Sequence, residues 1–384
     1  MITLIKNVDL YTPDHAGIKD ILVAGKTIAA VEDSIGISGY DGLNVMDGKG
    51  LIAAPGLIDN HVHIAGGGGE GGFETQTPEI DIKDLVRAGV TTVIGVRGTD
   101  GFTRSMENLI AKAKFIRKKG FSCWILTGSY QTPIRTLTGS IETDIMLIDE
   151  IIGVGEIALA DHRSSHPTPQ DLIAIASAAR VGGMLSGKSG VVNIHLGDGK
   201  AAFDFLYECL ESSNIPRRHF VPTHVNRNFD LMCQGVAYAK KGGFIDLTSS
   251  GYTKGADDER TKCSRAVKIA LDAGVSIDRV SISSDGQGSL PLYNEQNELR
   301  AMTVGTCASL LTELQDLVTE ENIPFSTALK PLTVNPAKIY NLPGKGIIQK
   351  NFDADIVLFD NDLNIKALMV SGICHYPDRN GTDR

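Results

Sequence analysis

The sequence predicts an α/β fold, a (β/α)₈ TIM barrel with a small β-sandwich domain built from both chain ends. Three observations carry this: eight short apolar runs separated by stretches of helical spacing, β-prone segments confined to the two ends, and metal-ligating residue types gathered at the ends of the apolar runs. The runs fall at residues 57–63, 90–96, 122–128, 156–161, 191–196, 219–224, 244–249 and 280–285. Near-continuous apolar runs suit parallel strands covered on both faces. Stretches 105–119, 168–181, 200–212, 230–241 and 259–273 carry the apolar spacing of the intervening helices. Eight strand–helix units is the count of a TIM barrel.

The ends read differently. Residues 3–10, 20–23, 27–31 and 51–53 are β-prone with turn residues between them, and 354–359 and 365–370 repeat the style after a loop holding Pro343, Gly344 and Gly346. This divides the chain into a sheet domain of residues 1–55 plus 342–384 and a barrel of residues 56–341.

Composition narrows the function classes. The net charge of −9 is spread without basic runs, which argues against a nucleic-acid groove or an anionic membrane surface and for a small-molecule substrate. No apolar segment is long enough to span a bilayer, and residues 1–10 lack the features of a secretory signal, so the expected location is cytoplasmic. Cys123, Cys209, Cys233, Cys263, Cys307 and Cys374 are scattered without a C-x-x-C pair and read as reduced thiols.

The chemistry lies where polar residues meet strand ends. His61, His63, Glu156, His195, His224 and Asp285 all sit in or at the C-terminal ends of the runs, on the catalytic face of such a barrel. His61 and His63 are alternate residues of one strand and face alike, so both can reach one metal. Any one of these residues alone is compatible with packing or helix capping. Recurrence at five strand ends points instead to a divalent metal held by imidazole and carboxylate, the donor set that suits zinc.

The segment Ala54-Pro55-Gly56-Leu57-Ile58-Asp59-Asn60-His61-Val62-His63, with the later His195, His224 and Asp285, resembles the signature of the amidohydrolase superfamily. The segments Gly66-Gly67-Gly68-Gly69-Glu70, Thr127-Gly128-Ser129-Tyr130, Asp161-His162-Arg163-Ser164, Pro222-Thr223-His224-Val225-Asn226-Arg227-Asn228 and Ser283-Ser284-Asp285-Gly286-Gln287-Gly288-Ser289 resemble the isoaspartyl dipeptidases in order and spacing, across nearly the whole chain. The resemblance implies a barrel with a small β-sandwich, two zinc ions, a dipeptide substrate and a homo-oligomer, commonly an octamer. In that family a carboxylated lysine on the fourth strand bridges the two metals. The matching position here is Glu156. A glutamate offers the same two oxygens and single negative charge without needing CO₂. It is also shorter, so either the strand or the metals must shift to meet it.

The same resemblance fills the pocket. It assigns Glu70 to the substrate ammonium, and Arg163 and Arg227 to a substrate carboxylate through guanidinium forks. Ser289 and Thr99 join them as substrate contacts, and Tyr130 acts as an electrophile toward the scissile carbonyl. Asp285 is the expected proton shuttle between the metal-activated hydroxide and the leaving amine. Two other readings stay open at this stage: an amidohydrolase for another N-acyl amino acid, a cyclic amide or an amino-purine, and a catalytically silent scaffold.

Overall fold

The computed structural model describes residues 1–37, 39, 41–199, 202–255, 257–294, 296 and 298–376. The chain opens with five strands, β1 (Ile2–Tyr11), β2 (His15–Ala24), β3 (Thr27–Glu32), β4 (Leu43–Asp47) and β5 (Ile52–Pro55). β1 is their centre: it pairs antiparallel with β2 on one edge and parallel with β4 and then β5 on the other.

Eight parallel barrel strands follow: β6 (Leu57–Val62), β7 (Val90–Gly95), β8 (Ser122–Thr127), β9 (Ile151–Leu159), β10 (Val191–Leu196), β11 (Phe220–Thr223), β12 (Ile245–Thr248) and β13 (Val280–Ser283). Each is followed by a helix, in turn α1 (Ile82–Ala88), α2 (Met106–Lys118), α3 (Ile141–Leu147), α4 (Pro169–Ser186), α5 (Ala202–Glu211), α6 (Phe229–Lys240), α7 (Cys263–Asp272) and α8 (Ala308–Thr319). Side-chain caps start most of them. Asp81, Ser105, Ser140, Thr168 and Asn228 each accept a hydrogen bond from a backbone N–H of the first turn, and Thr168 and Asp171 form a reciprocal capping box.

Strands β6 to β11 form one continuous ladder, and β12 and β13 pair separately. The ring is closed by contacts outside these ladders, among them Ser284 donating through its N–H and Oγ to Asp59 of β6 and Asn226 pairing with the Thr248 backbone of β12. The Val62–Gly286 bridge, with the His63 N–H donating to the Gly286 carbonyl, joins β13 to β6. The Val225 N–H donates to the Asp246 carbonyl between β11 and β12. The buried Asp246 carboxylate reinforces both joints, accepting from Asn60 Nδ2 at 2.8 Å, Thr223 Oγ1 at 2.7 Å, Ser281 Oγ at 2.5 Å and Ser283 Oγ at 2.6 Å. One side chain thus gathers β6, β11, β12 and β13.

Between β13 and α8 a hairpin of β14 (Ser289–Tyr293) and β15 (Leu299–Val304) rises beside the barrel mouth. After α9 (Phe325–Leu329) and α10 (Val334–Ile339), the strands β16 (Ile356–Phe359), β17 (Ile365–Val370) and β18 (Ile373–His375) return to the first sheet, where β16 pairs antiparallel with β5. Both chain ends therefore build one mixed eight-stranded sheet. Its core collects Ile5, Val8, Leu10, Ile21, Val23, Ile356, Leu358 and Met369, while Val357, Phe359, Ile365 and Leu368 pack into the barrel's core cluster.

Some elements depart from expectation for physical reasons. The strand expected at 156–161 is β9, which runs Ile151–Leu159: it takes in Gly153 and Gly155, which read as turn residues in the sequence, and stops before Ala160 and Asp161. The helix expected over 259–273 divides into a 3₁₀ turn at Glu259–Thr261 and α7. Of the helix expected at 200–212, Lys200 and Ala201 lie outside the described residues, as do residues 377–384 of the expected sheet domain. Among the described residues, no helix is long and apolar enough to cross a membrane.

Candidate metal centre

Local backbone geometry at two strand ends and inside β9 accompanies the inward turn of the candidate ligands. His224 and Asp285, each just past its strand, have φ of 61° and 54°, a left-handed conformation that costs non-glycine residues about 1–3 kcal/mol and is characteristic of functional sites. In β9 the register against β10 slips: Val154 faces Val192 and Ile157 faces Ile194, so Gly155 and Glu156 both oppose Asn193. Such a bulge re-aims a side chain. A Cβ at Gly155 would lie 2.8 Å from the Asn193 Cβ, so only glycine allows this close approach. The Gly155–Glu156 peptide is cis.

The bulge carries the Glu156 carboxylate to the centre of four imidazoles. Its Oε1 lies 3.3 Å from His63 Nε2, and its Oε2 lies 3.3 Å from His61 Nε2, 3.1 Å from His195 Nδ1 and 3.7 Å from His224 Nε2. Asp285 Oδ1 lies 3.1 Å from His63 Nε2 and 3.7 Å from His61 Nε2. Donor atoms of two overlapping triads, His61–His63–Asp285 and His61–Glu156–His224, fall within 4.8 Å of one another, and all these residues are buried. His61 Nε2, Glu156 Oε1 and Asp285 Oδ1 have no hydrogen-bond partner, a costly state for buried polar atoms. Convergent lone pairs without donors are what a cation requires, so the residues fit a metal.

The electrostatics agree. Burial works against charge on His61, but the Glu156 carboxylate overrides it and raises the imidazole to about 9. Burial also opposes ionisation of Glu156, yet the charges and hydrogen bonds of His61, His195 and His224 hold it well below the ordinary carboxylate range. Asp285 is likewise lowered, burial being outweighed by His63 and His224. His224 is pushed the other way, to about 3, chiefly by burial. Its Nδ1 lies 2.7 Å from Thr248 Oγ1, leaving Nε2 toward Glu156. The site's field thus favours added positive charge.

The residues expected in the substrate pocket come together around Glu70. Its Oε1 accepts from Ser289 Oγ at 2.7 Å, Arg163 Nη1 at 3.1 Å and Thr99 Oγ1 at 3.2 Å, while its buried Oε2 has no partner. Arg163 is also engaged by Asp161, through Nε to Oδ1 at 2.9 Å and Nη2 to Oδ2 at 2.8 Å, and lies 5.3 Å from the Tyr130 ring centroid. The Tyr130 hydroxyl is 2.8 Å from His195 Nδ1, and burial together with the Glu156 charge raises the phenol well above its ordinary value. Arg227 stands apart from Glu70. Its Nε donates to the Leu196 carbonyl at 2.9 Å and its Nη2 reaches 3.4 Å from His195 Nε2.

Sequence reasoning assigned no role to Thr248, Gly98 or Asp161. A Cβ on Gly98 would lie 2.8 Å from His63 Cε1 and 3.2 Å from Glu156 Oε1, so its missing side chain leaves room for the centre. Asp161 closes the fourth apolar run and opens the Asp-His-Arg-Ser segment; a carboxylate two residues before a pocket arginine was the signal available.

Comparison with known proteins places this geometry among relatives. Residues 224–374 match the amidohydrolase family. A crystal structure of a β-aspartyl dipeptidase from Fervidobacterium islandicum AW-1 in complex with β-Asp-Leu dipeptide is 44% identical, covers 97% of this chain and 96% of its own, and superposes with a TM-score of 0.90. A second structure of the β-aspartyl dipeptidase from that organism is 42% identical over 100% of both chains, again with a TM-score of 0.90. A dihydroorotase from Elusimicrobium minutum is 26% identical over 388 residues, covering 93% of this chain and 88% of its own length.

Proposed function

The chain belongs to the β-aspartyl dipeptidase family, and from that premise we propose that it hydrolyses the β-aspartyl amide bond of dipeptides at a centre of two divalent ions, zinc being the ion this donor set suits. The observation that carries the reading is the division of Glu156, with Oε1 toward His63 and Oε2 toward His61, His195 and His224. His61, His63 and Asp285 would hold one ion and His195 and His224 the other, with Glu156 bridging in place of a carboxylated lysine. When bound, such a pair supplies a Lewis acid and an acidified water at neutral pH.

The rest is the work of the chain's own side chains. A β-linked aspartyl residue carries its free α-amino and α-carboxylate groups on one carbon, whereas in an ordinary dipeptide the α-carboxyl is consumed in the bond. Glu70 Oε2, buried and unpartnered while Thr99, Arg163 and Ser289 fix Oε1, supports an ammonium acceptor. Arg227 and Arg163 supply positive charge for the carboxylate. Asp285, held ionised, takes a proton from the attacking water and delivers it to the leaving amine as the amide C–N bond breaks. Tyr130, kept protonated, donates to the carbonyl oxygen as negative charge develops there. The family resemblance also extends to a homo-oligomer of up to eight chains, which light scattering measures directly.

The test is turnover of β-Asp-Leu, α-Asp-Leu and dihydroorotate by zinc-loaded protein prepared in bicarbonate-free buffer, with metal content measured on the same sample. Selective β-Asp-Leu hydrolysis with two ions per chain is expected. Turnover of dihydroorotate instead would select the cyclic-amide reading, the activity that names the 26% identical relative. One ion per chain would remove the Glu156 bridge, and no metal with no turnover would leave a scaffold.

A further inference from the structure

Asp161 is 7% exposed, and its two carboxylate oxygens serve two residues, Arg163 and His195. Its Oδ1 accepts from the Arg163 backbone N–H at 2.8 Å and from Arg163 Nε at 2.9 Å. Its Oδ2 accepts from Arg163 Nη2 at 2.8 Å and lies 2.9 Å from His195 Nε2. The opposite ring nitrogen of His195, Nδ1, lies 3.1 Å from Glu156 Oε2. Each ring nitrogen thus faces a carboxylate; a cation held at the centre would take the Nδ1 lone pair, and the one proton of a neutral imidazole then sits on Nε2, donated to Asp161.

We propose that Asp161 is a positioning residue that couples the metal centre to the substrate's charge pocket. One carboxylate sets the tautomer of His195 and the orientation of the Arg163 fork. Arg163 in turn reaches Glu70, so the contacts run without a gap from a metal ligand to the ammonium acceptor: His195, Asp161, Arg163, Glu70. Carboxylate partners of ligating histidines are worth about 10–100-fold in metal affinity. An arginine lacking its fixed partner meets a substrate carboxylate at a worse angle, and small misplacements of such clamps are costly. The proposal rests on the β-aspartyl substrate reading above for its substrate arm and on the metal centre alone for its metal arm.

Asp161→Asn keeps the shape but must point an amide N–H₂ at one of two donors, so it breaks one contact or the other and weakens both. Two quantities are read in wild type, D161N and R163M. The first is zinc affinity, by competition with a chromophoric chelator. The second is discrimination by kcat/KM between β-Asp-Leu and β-alanyl-leucine, the analogue lacking only the α-carboxylate. D161N is expected to bind one of its ions about 10–100-fold more weakly and to lose about tenfold in discrimination. R163M is expected to lose the discrimination and to weaken zinc binding less than D161N does, because Asp161 keeps His195 but loses the side-chain donors that fix its carboxylate. D161N that shifts only one readout, or R163M that keeps the discrimination, overturns the coupling. If D161N does not fold, the same pair of readouts is taken on D161E, whose carboxylate keeps its charge but is displaced from both partners. Failure of wild type to turn over β-Asp-Leu would overturn the substrate reading while the zinc titration still decided the role of Asp161 toward His195.

Discussion

At the scale of single residues, the centre depends as much on an absent side chain as on the ligands. Gly98 has an ordinary backbone conformation, so alanine meets no dihedral penalty there, and its only effect is a Cβ pressed against His63 and Glu156. Displacing a ligand by a fraction of an ångström is far more damaging to catalysis than to folding. Gly98→Ala is therefore expected to lower kcat/KM for β-Asp-Leu by about 100-fold while shifting the thermal midpoint by only a few degrees. Parallel assays of turnover and thermal unfolding check this; near-normal turnover would show that the centre tolerates the intrusion. The candidate ligands were legible in the sequence because imidazole and carboxylate at strand ends are a chemical pattern. Gly98 was not, since a glycine announces nothing about which neighbour needs its space.

At the scale of elements, α7 begins at Lys262 without a side-chain cap of its own. The cap comes from α8: Glu313 Oε2 accepts from the Ser264 N–H at 2.6 Å. Burial raises the Glu313 carboxyl from its ordinary 4.5 to about 7, although Ser264 and Lys262 pull it down. A folded-state pKa above the unfolded one means that the folded chain holds a proton the unfolded chain has released. Stability from this group is then greatest below about pH 4.5 and falls as pH rises to about 7, by on the order of 3 kcal/mol once both states are ionised. Glu313→Gln keeps an acceptor for Ser264 without the charge. It is expected to match wild type at pH 4.5 and exceed it at pH 8 in urea unfolding, and equal midpoints at pH 8 would refute the assignment. Helix α7 itself was read from apolar spacing, but its cap was not, because the capping residue lies 49 positions away in sequence.

At the scale of the whole molecule, the barrel has a continuous ladder over six strands and a weaker seam over the rest. Asp246 holds the seam by accepting four side-chain donors from three neighbouring strands, β6, β11 and β13. Asp246→Ala would strand those buried donors, and removing one partner from such a network costs about 3–5 kcal/mol. Urea unfolding should show a loss of that size, and a change below about 1 kcal/mol would mean that the remaining contacts, such as Asp59 with Ser284 and Asn226 with Thr248, close the ring without Asp246. A closed ring is also what holds His61, His63 and Asp285 against Glu156, because β6 and β13 meet only at this seam.

What the sequence determined by itself was the periodic part: apolar runs of strand length, helices with their caps, β-prone ends, and ligand types recurring where strands stop. These are local facts, set by side-chain chemistry and spacing along a few consecutive residues. Only the tertiary structure decided how a short glutamate reaches where a longer side chain would be expected. It does so through a one-residue bulge in β9 that depends on the register of β10. It likewise decided that Arg163 is tied to Asp161 and Glu70, that Asp246 gathers four strands, and that α8 caps α7. Each of these is a meeting of residues distant in sequence or a choice among competing partners, and only the packed chain brings the partners within hydrogen-bonding distance.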